Sequence, residues 1–292
     1  MNLTLEHVTG GYGSRTVVDD VSFTLHPGEV VCLLGANGCG KTTLFKMILC
    51  LLRPRLGCVR LGEEKIADWS RNRLARSFGY VPQMHIPPFA FEVREIVLMA
   101  RAAHLAPFAS PGREDQRIAD EALDYLGILH LASARYTEIS GGERQLVLIA
   151  RALAQQAQWL ILDEPAASLD LGNQIKVFHA ISELAKTGLG VLMTTHVPDH
   201  AFMYASRVVL MSEGRILAVD TPEKSLTEPM LLKAYGVPVS VVEVGARSGI
   251  KPGIKIVVPN QLNMRGYLDP AASHVGHYAL CGFFTSGRSG TA

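Results

Sequence analysis

The sequence predicts an α/β fold with a mostly parallel sheet, and three observations carry that prediction. Val30-Val31-Cys32-Leu33-Leu34 is a short apolar run that enters a glycine-rich loop, Gly35 to Gly40, and leaves it in the helical pattern Leu44–Leu49. Trp159–Leu162 and Val191–Thr195 are also short and continuous, as strands buried on both faces are. Helical stretches alternate with these runs, which is the rhythm of parallel βα units. An N-terminal antiparallel β subdomain and a helical insert complete the expected architecture.

Taken in order, residues 3–8 and 16–25 read as strands, with Val17, Val21, Phe23 and Leu25 alternating. Gly10-Gly11-Tyr12-Gly13 reads as a turn between them, and His26-Pro27-Gly28-Glu29 as a second turn. The first helix is expected to end near Leu52, because Pro54 stops it. Cys58–Leu61 is a strand pattern and residues 78–83 another, stopped by its proline, followed by helices from Val93 to about Ala103 and from Arg113 to Leu126. The helical subdomain is placed at about residues 86–157. Ser140-Gly141-Gly142-Glu143 leads into a helix over Arg144–Gln156, with the serine as N-cap and Glu143 in the first turn. A helix over Asn173–Ala185, one after Pro198 and a hairpin over 207–219 close the section. Val239–Val244 and Lys255–Val258 are strand-like, and Thr285 to Ala292 reads as a frayed end. The division expected is residues 1–236 for the main domain and 237–292 for a short C-terminal extension.

The glycine loop has the spacing G-x-x-x-x-G-K-[ST] in its required strand–loop–helix setting. Its glycines let several amide N–H groups point at one anion, and the following helix start adds its own. Gly35, Asn37, Gly38, Cys39, Gly40, Lys41, Thr42 and Thr43 therefore form the expected cradle for a nucleoside triphosphate. Lys41 would neutralise β- and γ-phosphate charge, and Thr42 would offer its hydroxyl to Mg²⁺. Asp163-Glu164 follows the run Trp159–Leu162, at the strand end where α/β sheets bind ligands. Asp163 is the expected Mg²⁺ ligand and Glu164 the residue that polarises the attacking water.

The 292 residues carry 28 basic and 27 acidic side chains, a balance that argues against a nucleic-acid footprint. Five cysteines without paired spacing fit reduced thiols better than a disulfide framework. The N-terminus shows no basic region followed by an apolar core, and no 18-residue apolar run occurs, so neither a signal peptide nor a membrane span is expected.

Ser140-Gly141-Gly142-Glu143, about 20 residues before Asp163-Glu164-Pro165, resembles the signature of ABC ATPase domains, and the motif order matches over roughly residues 1–225. The resemblance implies an ABC ATPase fold around a P-loop core, with ATP and Mg²⁺ as cofactors. It also implies Tyr12 stacking on adenine, Gln83 as the Q-loop glutamine with a part in holding Mg²⁺, Asp170 in the D-loop and His196 as the switch histidine at the γ-phosphate. Two copies would pair head to tail, with Ser140, Gly141, Gly142 and Glu143 of one meeting the ATP held by the other. The sequence departs from the common form at Ile139 and Glu143, and a carboxylate at 143 is expected to weaken affinity at the opposed site. Cys39 is expected to be a reactive thiolate, favoured by nearby amides and by Lys41.

The segment Pro87–Arg101 with Asp124-Tyr125-Leu126-Gly127 looks like the ATPase subunits of binding-protein-dependent importers. Ferric chelates rank first among the cargoes this implies, haem or cobalamin next, then molybdate. The partners implied are a second copy, a polytopic permease and, indirectly, a substrate-binding protein. The place implied is the cytoplasmic face of the membrane, as a peripheral subunit. The competing class is a soluble ABC ATPase, such as one in iron–sulfur assembly. His274, His277 and Cys281 have spacings that could ligate a metal, although a packed extension or tail is the preferred reading.

Overall fold

The structure is a computed structural model, and it describes residues 1–83, 90–106, 108–167, 169–244 and 253–260. Its chain order opens with β1 (Leu3–Tyr12), β2 (Arg15–Leu25), β3 (Val30–Leu34) and α1 (Lys41–Ile48). β4 (Leu56–Leu61), β5 (Glu64–Lys65), α2 (Arg71–Ser77) and β6 (Phe78–Val81) follow. Three helices come next: α3 (Val93–Leu98), α4 (Arg113–Tyr125) and α5 (Gly141–Ala154). The alternation resumes with β7 (Trp159–Leu162), α6 (Leu171–Lys186), β8 (Gly190–Thr194) and α7 (Pro198–Tyr204). β9 (Arg207–Ser212), β10 (Arg215–Asp220), α8 (Pro222–Ser225), α9 (Glu228–Tyr235), β11 (Val239–Val244) and β12 (Ile254–Pro259) end the described chain.

The central sheet has the order β10-β9-β3-β8-β7-β6. All its pairings are parallel except the β9–β10 hairpin. β3 lies inside this sheet with all five side chains buried, which is why it reads as a continuous apolar run. Its alternation feeds two cores. Val30, Cys32 and Leu34 face the helices α3 to α7, whereas Val31 and Leu33 face α1 and the N-terminal sheet. β7 divides in the same way, Leu160 and Leu162 to the helical side, Trp159 and Ile161 to the other. Each such side chain contributes roughly 1.5–3 kcal/mol by leaving water.

The N-terminal strands form a separate antiparallel sheet, β2-β1-β4-β5. β1 continues through Tyr12, so the expected turn at Gly10–Gly13 shrinks to its last residues. Irregular register at Val8, Gly10 and Gly11 absorbs the glycines into the strand. At Gly11 a Cβ would stand 2.1 Å from the Arg15 carbonyl, so the strands approach too closely for any side chain. The first helix stops at Ile48 rather than near Leu52. Cys50 takes a left-handed φ of 54°, and the N–H groups of Leu51 and Leu52 both turn back to the Lys46 carbonyl.

α3 is α-helical only to Leu98 and tightens into a 3₁₀ stretch over Met99–His104. That tightening accompanies a buried Arg101, whose guanidinium meets Asp115, the Ala154 carbonyl and Gln156. α5 begins three residues earlier than the expected Arg144. Ser140 and Glu143 form a reciprocal capping box there, the serine hydroxyl accepting from the Glu143 N–H and the carboxylate from the Ser140 N–H. α2, with Ser70 as its cap, has no counterpart in the sequence reading. β11 and β12 form an antiparallel hairpin. The hairpin is held to the main fold by Val257 N–H donating to Asp199 and Val241 N–H donating to Glu228. The candidate metal ligands His274, His277 and Cys281 lie outside the described residues, as do Pro87–Phe89 and Ser168. No described helix is long and apolar enough to cross a membrane.

Candidate nucleotide site

The site is built where the parallel strands end. β3 delivers Gly35, and the loop to Lys41 turns with φ of 150° at Gly35, 80° at Gly38 and 110° at Gly40. At Gly35 a Cβ would come within 2.3 Å of the Met211 carbonyl, so this loop lies against β9 with no room for a side chain. Lys41 is buried, and its ammonium donates to the carbonyls of Gly35 at 2.6 Å and Ala36 at 3.1 Å. The loop thus holds its cation folded over itself, beside the Gly40 N-cap of α1.

β7 and β8 supply the acidic side. Asp163 is buried and accepts from Thr194 at 2.8 Å on one oxygen and from Thr42 at 3.3 Å on the other. Thr194, the last residue of β8, also accepts the Glu164 N–H at 2.8 Å. Glu164 therefore sits on a fixed turn, and its φ of 52° places it in the left-handed region. Both of its carboxylate oxygens are held. Gln83, just past β6, donates Nε2 at 2.6 Å, and His196 Nδ1 lies 2.8 Å from the other oxygen. Side chains from beyond two neighbouring strands, β6 and β8, thereby converge on the one carboxylate that follows β7.

A cleft of about 610 Å³ is lined by Tyr12, Arg15, Val17, Asn37, Gly38, Gly40, Lys41, Thr42, Thr43, Gln83, Glu164 and His196. Tyr12 stands half-exposed at its edge, with its hydroxyl 3.1 Å from the Lys46 ammonium. That hydrogen bond, with a second from Thr43, holds the phenol below its ordinary pKa. Arg15 and Val17 extend the lining beyond the residues expected. Their signal in the sequence was only their nearness to Tyr12. Thr194 was missed too, because a threonine ending a strand has no spacing signature.

Thr42 and Asp163 offer hard oxygen donors side by side, a set that fits Mg²⁺ completed by phosphate and water. Gln83 presents its amide nitrogen to Glu164, leaving its carbonyl oxygen as the group able to face a cation.

Cys39 departs from expectation. It is 5% exposed, and burial raises its thiol pKa more than Lys41 lowers it. The thiol is a small core group packed against Gly35, not an exposed thiolate.

Ser140, Gly141, Gly142, Glu143 and Asp170 do not line the cleft. The signature stands at the exposed start of α5, with Gly142 alongside Leu169 and Asn173. Asp170 caps α6, accepting from the Asn173 backbone at 2.8 Å and its side-chain amide at 3.0 Å. Backbone N–H donation from Ser140 holds the Glu143 carboxyl below its usual pKa.

Residues 18–167 match the family model for the ABC transporter. The chain is 43% identical over 235 residues to an ABC transporter ATP-binding protein of Haemophilus influenzae, covering 80% of this chain and 89% of that one. It is 37% identical to the molybdate import ATP-binding protein MolC of Haemophilus influenzae, covering 75% and 81%. It is 36% identical to the hemin import ATP-binding protein HmuV of Rhodococcus jostii, covering 79% and 78%. Among solved structures, a chain from an inward-facing ABC transporter assigned to the metal-chelate type superposes with a TM-score of 0.77 at 32% identity, covering 88% of this chain and 96% of that one. The family match and these relatives leave one assignment: the chain belongs to the ABC transporter family, as one of its ATP-binding, ATP-hydrolysing subunits.

Proposed function

We propose that this chain powers an importer of chelated metal, with an iron chelate, ferric siderophore or haem, as the first cargo class. The observation that supports this reading is its similarity across most of its length to hemin and molybdate import subunits and to a metal-chelate type transporter chain. Cobalamin and molybdate are the alternative cargoes.

In this reading ATP enters the cleft with its adenine against Tyr12 and its phosphates in the loop from Gly35 to Thr43. Lys41 exchanges the Gly35 and Ala36 carbonyls for phosphate oxygens. Thr42 and Asp163, with Gln83 nearby, would hold Mg²⁺, which would supply neutralisation of the charge on the phosphoryl oxygens. Glu164 orients and polarises the attacking water and accepts its proton, while His196 meets the γ-phosphate. Each Glu164 oxygen is engaged once, by Gln83 and by His196, and each keeps a lone pair with which a water can be held. Gln83 stands where the chain leaves β6 for the helical region, which links its hydrogen bond on Glu164 to movement of the helices. Ser140, with Gly141 and Gly142, completes the site of a second copy in a head-to-tail pair, and Asp170 lies at that seam. Dimeric cassette structures among the similar chains support the pairing. A peripheral position on the cytoplasmic face, beneath a permease served by a substrate-binding protein, follows from the same reading.

Purification from membranes tests it: recovery with a polytopic membrane protein is expected, and recovery with soluble partners alone overturns the importer reading. Glu164→Gln should bind ATP and dimerise while hydrolysis falls 10²-fold or more. Full activity in that variant removes Glu164 from its role.

A further inference from the structure

Behind Glu164 and His196 lies a second, small cavity of about 120 Å³. Its far wall is formed by Gln174 and Phe178 of α6 and by His200 of α7. His200 Nδ1 lies 3.2 Å from the hydroxyl of Thr195, the residue preceding His196. The same hydroxyl oxygen accepts the Val197 N–H at 3.1 Å, the residue following His196. His196 is therefore carried on a three-residue turn whose two shoulders are joined through one hydroxyl.

Among the described residues the Thr195 hydroxyl has no acceptor other than His200 Nδ1, and with the imidazole in its Nε2–H tautomer the hydroxyl donates to Nδ1. Burial keeps the imidazole below its ordinary pKa, with the neighbouring Asp199 only partly offsetting that effect. The ring is also held in orientation, its centroid 4.6 Å from that of Phe178, which itself stacks on Tyr204 at 4.7 Å.

We propose that His200 is a positioning residue for hydrolysis: by accepting the Thr195 hydroxyl it locks the turn that aims His196 at Glu164 and the γ-phosphate. The inference rests on the role given to His196 above. His200 touches neither ATP nor the reacting water, so it acts on the arrangement of the site rather than on nucleotide affinity. The acceptor atom, not the imidazole as such, is what the turn requires.

Steady-state ATPase kinetics on the full chain test this. His196→Ala serves as the reference: its loss of hydrolysis upholds the underlying reading, and its full activity would sink that reading separately. Given that loss, His200→Ala should lower kcat about three- to tenfold, the value of one neutral hydrogen bond, with KM for ATP within twofold. His200→Asn, whose amide oxygen occupies the place of Nδ1, should recover kcat to within twofold. Thr195→Val, which also removes the acceptor of the Val197 N–H, should lower kcat at least as far as His200→Ala, and the double variant should be no worse than Thr195→Val alone. Thr195→Val also covers the case in which His200→Ala fails to fold. An unchanged kcat in both His200→Ala and Thr195→Val overturns the proposal. So does a loss confined to KM, or an Asn variant as slow as the Ala variant.

Discussion

Replacing Thr194 by valine tests the centre of the site with almost no change in shape. The side chain is fully buried, and its hydroxyl does two things: it donates to Asp163 at 2.8 Å and accepts the Glu164 N–H at 2.8 Å. Valine fills the same volume and does neither. One loss is a hydrogen bond to a charged group, worth about 1.5–3 kcal/mol. The other leaves a backbone N–H without its acceptor, at about 1–3 kcal/mol. The two share one atom and border a wet cleft, so they do not add fully, and a net loss of about 3 kcal/mol is expected. For a chain of this size that is a fall in Tm of roughly 6–12 °C, readable by calorimetry. Thr194→Ser keeps the hydroxyl and loses one methyl, at about 1 kcal/mol. ATPase activity should fall far more in the valine variant than in the serine variant, because the Glu164 turn loses its anchor. A valine variant melting within about 2 °C of the parent, or a serine variant melting equally low, refutes the reasoning.

Gly190→Ala would push a Cβ to within 2.4 Å of the buried Trp159 ring, so about 1–3 kcal/mol of stability should be lost in urea unfolding. Shrinking the ring with Trp159→Phe in that background should recover part of the loss. Cys39 should alkylate at least about tenfold more slowly in the native chain than in urea, with or without ATP, since burial already raises its pKa. Equal rates would restore the reactive-thiolate expectation. Asp115 meets the buried Arg101 at 2.9 Å, and that hydrogen bond, foremost, lowers its pKa. Its stabilisation is therefore present above the unfolded carboxylate value of about 3.9 and is lost as pH falls through the lower folded value. Asp115→Asn should cost about 2 kcal/mol at neutral pH and lose less stability than the parent between about pH 5 and pH 3.

The parts legible in the sequence share a short-range signature. The glycine loop, the runs ending at Leu34 and Leu162, and the carboxylates after them are defined by neighbours within ten residues. Glu143 was legible as a helix-start residue because a capping box closes over three residues. Arg101 was not, because its partners Asp115 and Gln156 come from other segments and meet it only after the helices pack. Thr194 and His200 were invisible for the same reason: each matters through a contact made across strand ends or within a turn whose geometry spacing does not encode. Cys39 went wrong in an instructive way. Its charged neighbour Lys41 was legible, but the depth of burial that outweighs the lysine is a property of the assembled core. The helix boundary at Ile48 failed where a non-glycine residue, Cys50, adopts a left-handed φ that propensity disfavours.

The φ of 52° at Glu164 sets folding and chemistry against each other at one residue. A side chain with a Cβ costs about 1 kcal/mol in that region; glycine would remove the cost, and asparagine, which can hydrogen-bond locally there, would lessen it. The chain is thus held slightly above its folding optimum by the very group proposed to handle water. Under selection for stability alone, position 164 would drift toward glycine or asparagine. Libraries of position 164 screened for folding and for turnover should therefore enrich different residues, glycine or asparagine in the first and glutamate in the second.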